Sequence, residues 1–185
     1  MFIKIGNAYA DAELFYLQDF CGMLDSKFKA LNDKISVARD PERDGLFDYA
    51  EYFIGLGFCA MQRYLIDCLD SKGIKKLAGF ELGQKTSSGR TYVQLINSLA
   101  NWWKHSAEWQ HFAYEDEEIK RSKNEQLTID DVLEVSDYPY VFSTALVQLS
   151  PEGKLVLSDL IPFLVKWRED VNEYARQKVK STSSI

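Results

Sequence analysis

Apolar residues recur along this chain at intervals of three and four in four long stretches, the period of helices with a buried face. The stretch 8–31 carries Tyr9, Leu14, Leu17, Phe20, Cys21, Leu24, Phe28 and Leu31, which predicts a first helix. Over 44–69 apolar residues cover nearly every face, from Leu46 and Phe47 through Phe53, Ile54, Phe58 and Met61 to Leu65 and Cys68. That pattern predicts a central, buried helix. Gly55 and Gly57 within it lower its intrinsic helicity but allow a neighbour to approach closely. Asp40-Pro41-Glu42 ahead of it fits a helix start with early acids. A third helix is predicted over 91–109 from Tyr92, Leu95, Ile96, Leu99, Trp102, Trp103 and Trp109. A fourth, over 155–180, rests on Leu157, Leu160, Ile161, Leu164, Trp167, Val171, Tyr174 and Val179. Pro162 either kinks it or marks its first turn, and Lys178 and Lys180 suit the dipole at its end. The expectation is a single all-α domain over 1–185, a four-helix-bundle-like core with one short acidic helical insertion.

Two connections differ sharply in charge. The segment 71–90 has glycines at 73, 79, 83 and 89 and five bases (Lys72, Lys75, Lys76, Lys85, Arg90) against the single acid Glu81, so it reads as a basic, glycine-rich loop. The segment 108–134 holds nine acids against three bases, which equals the whole net charge of −6. The acidic insertion is placed at 110–135. Within it Thr128 reads as the cap of a short helix, with Asp131 three residues on. The stretch 138–149 fits a short helix or a strand, with helix favoured.

Composition narrows the class. At 185 residues with 46% apolar and 14% aromatic content, the chain is neither disordered nor in need of disulfides to hold a core. An acidic balance excludes a generally basic, DNA-coating protein but not a local basic patch. Three cysteines, an odd number, argue for a reducing compartment. Cys59 and Cys68 fall on opposite faces of their helix and read as core thiols. The N-terminus lacks the pattern of a secretory signal. The longest uncharged, mainly apolar run, 52–62, is far short of the ~20 residues that cross a bilayer. The expected location is cytoplasmic, away from a membrane.

Several chemistries can be set aside on spacing. Gly79, Gly83, Lys85 and Thr86 imitate a phosphate loop, but one spacing residue is missing and Gln84 separates glycine from lysine, so an NTPase is excluded. The two histidines, His105 and His111, lie about 240° apart on a helix and share no face. His111 and Glu115 have i, i+4 spacing, and Asp116, Glu117 and Glu118 add oxygens, yet this run reads as solvated surface rather than a metal centre. No nucleophile elbow occurs and no cysteine stands in a catalytic context. No cofactor or metal is expected.

The most informative stretch is Asn97-Ser98-Leu99-Ala100-Asn101-Trp102-Trp103-Lys104-His105-Ser106-Ala107-Glu108-Trp109. Asn97, Asn101, Lys104, His105 and Glu108 are related by steps of three and four and form one polar stripe beside large aromatics. As a plain amphipathic helix, this is a solvent face with tryptophans behind it. As a site, it sets an amide and an imidazole one turn apart with an ammonium beside them. A histidine serves as general acid or base near neutral pH, a lysine holds phosphate, and a tryptophan stacks a base.

Ala100-Asn101-Trp102-Trp103-Lys104-His105-Ser106 resembles the core motif of the HEPN family (higher eukaryotes and prokaryotes nucleotide-binding domains). The resemblance covers this motif and the four-helix pattern. It implies an all-α bundle acting as a homodimer, often a metal-independent ribonuclease of toxin–antitoxin or phage-defence systems. Asn101 and His105 match the family's polar residue and histidine, while the position of the family arginine is Ala100. The resemblance thus implies one of two things: an endoribonuclease in which Lys104 or Arg90 substitutes for that arginine, or a degenerate, non-catalytic relative. In the active form His105 would be the acid or base, Asn101 would orient it or bind phosphate, and Lys104 would stabilise developing charge. Asn97, Glu108, Trp102, Arg90 and Lys85 would contact RNA, with Lys75 and Lys76 guiding it. Two readings stand beside this one. A non-enzymatic antitoxin, immunity or accessory protein would use the acidic run 115–118 as its partner surface, and a small-molecule-binding bundle would have a pocket lined by Trp102, Trp103 and Tyr92.

Overall fold

The computed structural model describes residues 2–6, 8–108 and 121–182. The chain begins with a β-hairpin, β1 (Phe2–Ile5) paired antiparallel to β2 (Ala8–Asp11), with Phe2 opposite Asp11. Alternation turns Phe2 into the core and leaves Ile3 and Ile5 exposed. The expected first helix therefore starts later than residue 8. Asp11 ends the strand and caps the helix, its Oδ1 accepting from the Leu14 N–H at 3.0 Å. From there α1 (Ala12–Val37) buries Leu14, Leu17, Cys21, Leu24, Phe28 and Leu31, the stripe that the periodicity marks.

The central helix, α2 (Leu46–Lys72), packs against both α1 and a fourth helix. Gly73, in the left-handed region at φ +61°, ends α2, and the N–H of Ile74 folds back to the Leu69 carbonyl at 3.1 Å. The segment expected as a loop contains a single-turn helix, α3 (Lys76–Phe80), and the long helix α4 (Tyr92–His105) follows. Thr91 fixes the start of α4 from both sides. Its hydroxyl donates to the Phe80 carbonyl at 2.7 Å and accepts from the Gln94 N–H at 3.1 Å, and Gln94 completes a capping box. The third helix thus ends at His105, short of residue 109.

Beyond residue 121 come α5 (Lys123–Val135), α6 (Val141–Leu149), a 3-10 turn (Leu157–Leu160) and α7 (Ile161–Thr182). Thr128 is not a cap. Ser122, with Glu125 three residues on, forms the capping box of α5, and Thr128 lies inside the helix, donating to the Asn124 carbonyl at 3.0 Å. Pro162 occupies the first turn of α7, where its missing N–H costs nothing. Two carboxylates of the early helices cap later ones. Glu51 accepts from the N–H groups of Phe142 and Ser143, and Asp25 from those of Leu157 and Ser158. A buried cluster ties the hairpin to α7. Asp11 Oδ2 accepts from Tyr64 and from Arg168, both at 2.8 Å, and the Arg168 guanidinium lies 4.2 Å from the Tyr9 ring.

The fold is all-α, and among the described residues the hairpin is the only sheet. One continuous core joins the described helices, with Ile54, Phe58, Leu95, Leu99, Leu164 and Trp167 fully enclosed. Among the described residues no helix is long and apolar enough to cross a membrane.

Candidate functional site

The polar stripe of α4 is organised by a residue on another helix. Gln62, 8% exposed, sits in the apolar run of α2 where that helix crosses α4. Its amide nitrogen donates to Asn97 Oδ1 at 2.8 Å and Asn101 Oδ1 at 2.9 Å, and approaches the Asn97 carbonyl at 3.3 Å. Its amide oxygen accepts from Lys104 Nζ at 2.7 Å. A buried amide left without partners costs about 1–3 kcal/mol, so this hub holds three stripe residues in one arrangement. Sequence reasoning missed Gln62. Its signal was present: an uncharged polar residue inside a helix that is otherwise apolar on nearly every face.

Of the residues read as catalytic, Asn101 and Lys104 are therefore bound to Gln62. The third, His105, is at the surface with a side-chain exposure of 44%, its Nδ1 3.4 Å from Glu108 Oε2. Asn101 and His105 do share a concave surface. They line a cleft of about 300 Å³ whose opposite wall is the start of α5, with Ser122, Asn124, Glu125 and Thr128. Ala100, at the position of the family arginine, is fully buried, and its carbonyl is 3.7 Å from the Cys59 thiol.

Arg90 does not reach this cleft as a free cation. Its Nε lies 2.8 Å from Asp131 Oδ1, a close ion pair whose geometry is not that of a hydrogen bond, while Asp131 Oδ2 accepts from Ser98 at 2.7 Å. Burial pushes the Asp131 carboxyl above its ordinary range, and the Ser98 hydrogen bond and the Arg90 charge work against that rise. Lys76 of α3 feels the charge of Lys104. Its ammonium is held below its ordinary value by desolvation and then by the positive charge of Lys104, and it stands 5.4 Å from the Phe80 ring. Lys75 and Lys85 are exposed.

The tryptophans take separate roles. Trp102 is 9% exposed and faces the core. Trp103 covers Gly55, where an added Cβ would sit 1.8 Å from its ring, and meets Tyr52 edge-on at 5.5 Å. Tyr92 stacks flat on Phe163 at 3.8 Å, away from both. The expected common pocket of Trp102, Trp103 and Tyr92 is therefore not formed by these three. Cys21 and Cys68 are buried and Cys59 half-buried, all as free thiols. Trp109, His111 and the acidic run 115–118 lie outside the described residues. Among the described residues no group of three or more His, Cys, Asp or Glu side chains converges.

Comparison with family models, with curated proteins and with solved structures finds no match to this chain.

Proposed function

We propose that the protein is a HEPN-like helical domain, of the kind found in toxin–antitoxin or phage-defence systems, that binds RNA along α4 without cutting it. The observation that carries this reading is the ammonium of Lys104, which Gln62 holds one helical turn from Asn101 on the stripe that also carries His105. Among the described residues neither lysine is ion-paired to a carboxylate. Two lysines whose charges repel and which lack a carboxylate are a demand for an anion, and a nucleic-acid phosphate meets it. His105, half-exposed on the cleft, would contact a base or ribose.

Loss of cleavage is supported by the fate of each charge that the chemistry would need. Ala100 supplies none and is enclosed. Arg90 is paired with Asp131, and the Asn101 amide oxygen is turned to Gln62. Metal-free cleavage requires a base on the ribose 2′-OH and a cation on the phosphate at once. His105 Nδ1 lies 3.4 Å from the Glu108 carboxylate.

A second reading is favoured by a separate observation. On α1, Phe15, Tyr16 and Met23 are 65%, 63% and 57% exposed. Such residues suit a protein contact, with a second copy or with the partner of an antitoxin, immunity or accessory subunit.

The test is one incubation of a fluorescent single-stranded RNA with the protein in EDTA at low salt. The expected result is bound, intact RNA, with affinity lowered about tenfold by Lys104→Ala, a loss of about 1.4 kcal/mol. Cleavage by the wild type that His105→Ala abolishes would restore the ribonuclease reading. Absence of binding would leave the protein-partner reading, which size-exclusion chromatography of wild type against Phe15→Ser then decides.

A further inference from the structure

Where the first turns of α2 meet the ends of α4 and α5 and the start of α6, the helices leave a cavity of about 780 Å³. Drug-sized ligands occupy cavities of roughly 300–1,000 Å³. The rings of Tyr52, Trp102 and Phe142 and the side chain of Leu133 wall it, and Asp48 and Glu51 bring two carboxylates from α2. No described residue lining it is cationic.

The acids differ in what they have left to offer. Glu51 is fixed by the N–H of Phe142 at 2.7 Å and that of Ser143 at 2.8 Å, one to each oxygen. Each carboxylate oxygen still has lone-pair capacity for a further donor. Asp48, three residues earlier on the same face of α2, is exposed. The negative field of this end of the molecule acts on the neighbouring Tyr140 phenol, which keeps its proton above its ordinary value, first through desolvation and then through Glu42, Asp48 and Glu51.

Aromatic faces attract a cation, most strongly where water is excluded, and carboxylates add direct charge attraction. Among the described residues an anion would meet repulsion from both acids, and a neutral ligand would forgo their charge attraction. We propose that this cavity binds a small organic ammonium compound, its aromatic or aliphatic body among Tyr52, Trp102, Leu133 and Phe142 and its charged nitrogen toward Asp48 and Glu51. This site is separate from the lysines beside His105 and does not depend on RNA binding there.

Isothermal titration of the full chain with three probes of similar size tests the assignment: phenethylamine as the cation, phenethyl alcohol as the neutral analogue and 3-phenylpropionate as the anion. Phenethylamine is expected to bind, phenethyl alcohol about tenfold more weakly, and 3-phenylpropionate not measurably. Asp48→Asn should remove most of the preference for the amine over the alcohol. Leu133→Trp should fill the cavity and abolish binding. Leu133 is 57% exposed, so this variant keeps the fold, which circular dichroism checks. Equal affinity for the three probes, no binding of the amine, or an amine affinity unchanged in either variant would overturn the proposal.

Discussion

Gln62 shows how much one side chain decides. Removing its amide leaves Asn97 and Asn101 without their shared donor and Lys104 without its acceptor. Gln62→Leu is therefore expected to cost about 1–3 kcal/mol. For a chain of this size that lowers Tm by roughly 2–4 °C per kcal/mol, readable by calorimetry. A Gln62→Leu protein as stable as wild type would show that the hub is incidental. Asp131 offers a test by pH. Its folded-state pKa is raised by burial, so folding favours the protonated form. The stability it contributes is full below the unfolded carboxylate value of about 3.9 and is lost as pH rises through the folded value. Denaturation of wild type and Asp131→Asn from pH 3.5 upward should show the difference moving in favour of the variant as pH rises. A difference that is flat with pH, or that moves the other way, would contradict the burial argument.

At the scale of elements, the long helices were legible in the sequence because each buries one regular stripe, as Leu14 to Leu31 do in α1. The hairpin was not. Its strands are four residues each, too short for alternation to stand out, and Tyr9 also fits the helical period that follows. The cap of α5 was misplaced because Thr128 with Asp131 imitates the box that Ser122 and Glu125 form. The stripe of α4 was legible as a stripe, but its partners were not, since Gln62 and Lys76 come from helices whose approach no local pattern encodes. The hairpin is anchored by Phe2 in the core and by the buried Asp11–Arg168 pair, with side chains 4% and 6% exposed. Breaking such a pair costs about 3–5 kcal/mol, whereas an exposed pair such as Arg63–Asp67 is worth less than about 1 kcal/mol. Urea unfolding of Arg168→Met and Arg63→Met should separate by that margin. Equal losses would mean that the hairpin is not anchored through Arg168.

For the whole molecule, a single core and a charged periphery set what the surface can do. Burial pushes the Cys21 and Cys68 thiols up to about 12, so neither is a thiolate near neutral pH. A disulfide reagent at pH 8 should label no more than one thiol, Cys59, in the native state, and all three after denaturation. Rapid native labelling of two or more would contradict a closed core. The central claim is that Lys76 and Lys104 together hold RNA phosphate, and the salt dependence of binding tests it most directly. On single-stranded RNA each phosphate contact adds about 0.7 to the slope of log affinity against log salt. The double variant Lys76→Ala/Lys104→Ala is expected to lower that slope by about 1.4 while the RNA stays intact. A slope equal to that of wild type would contradict the account.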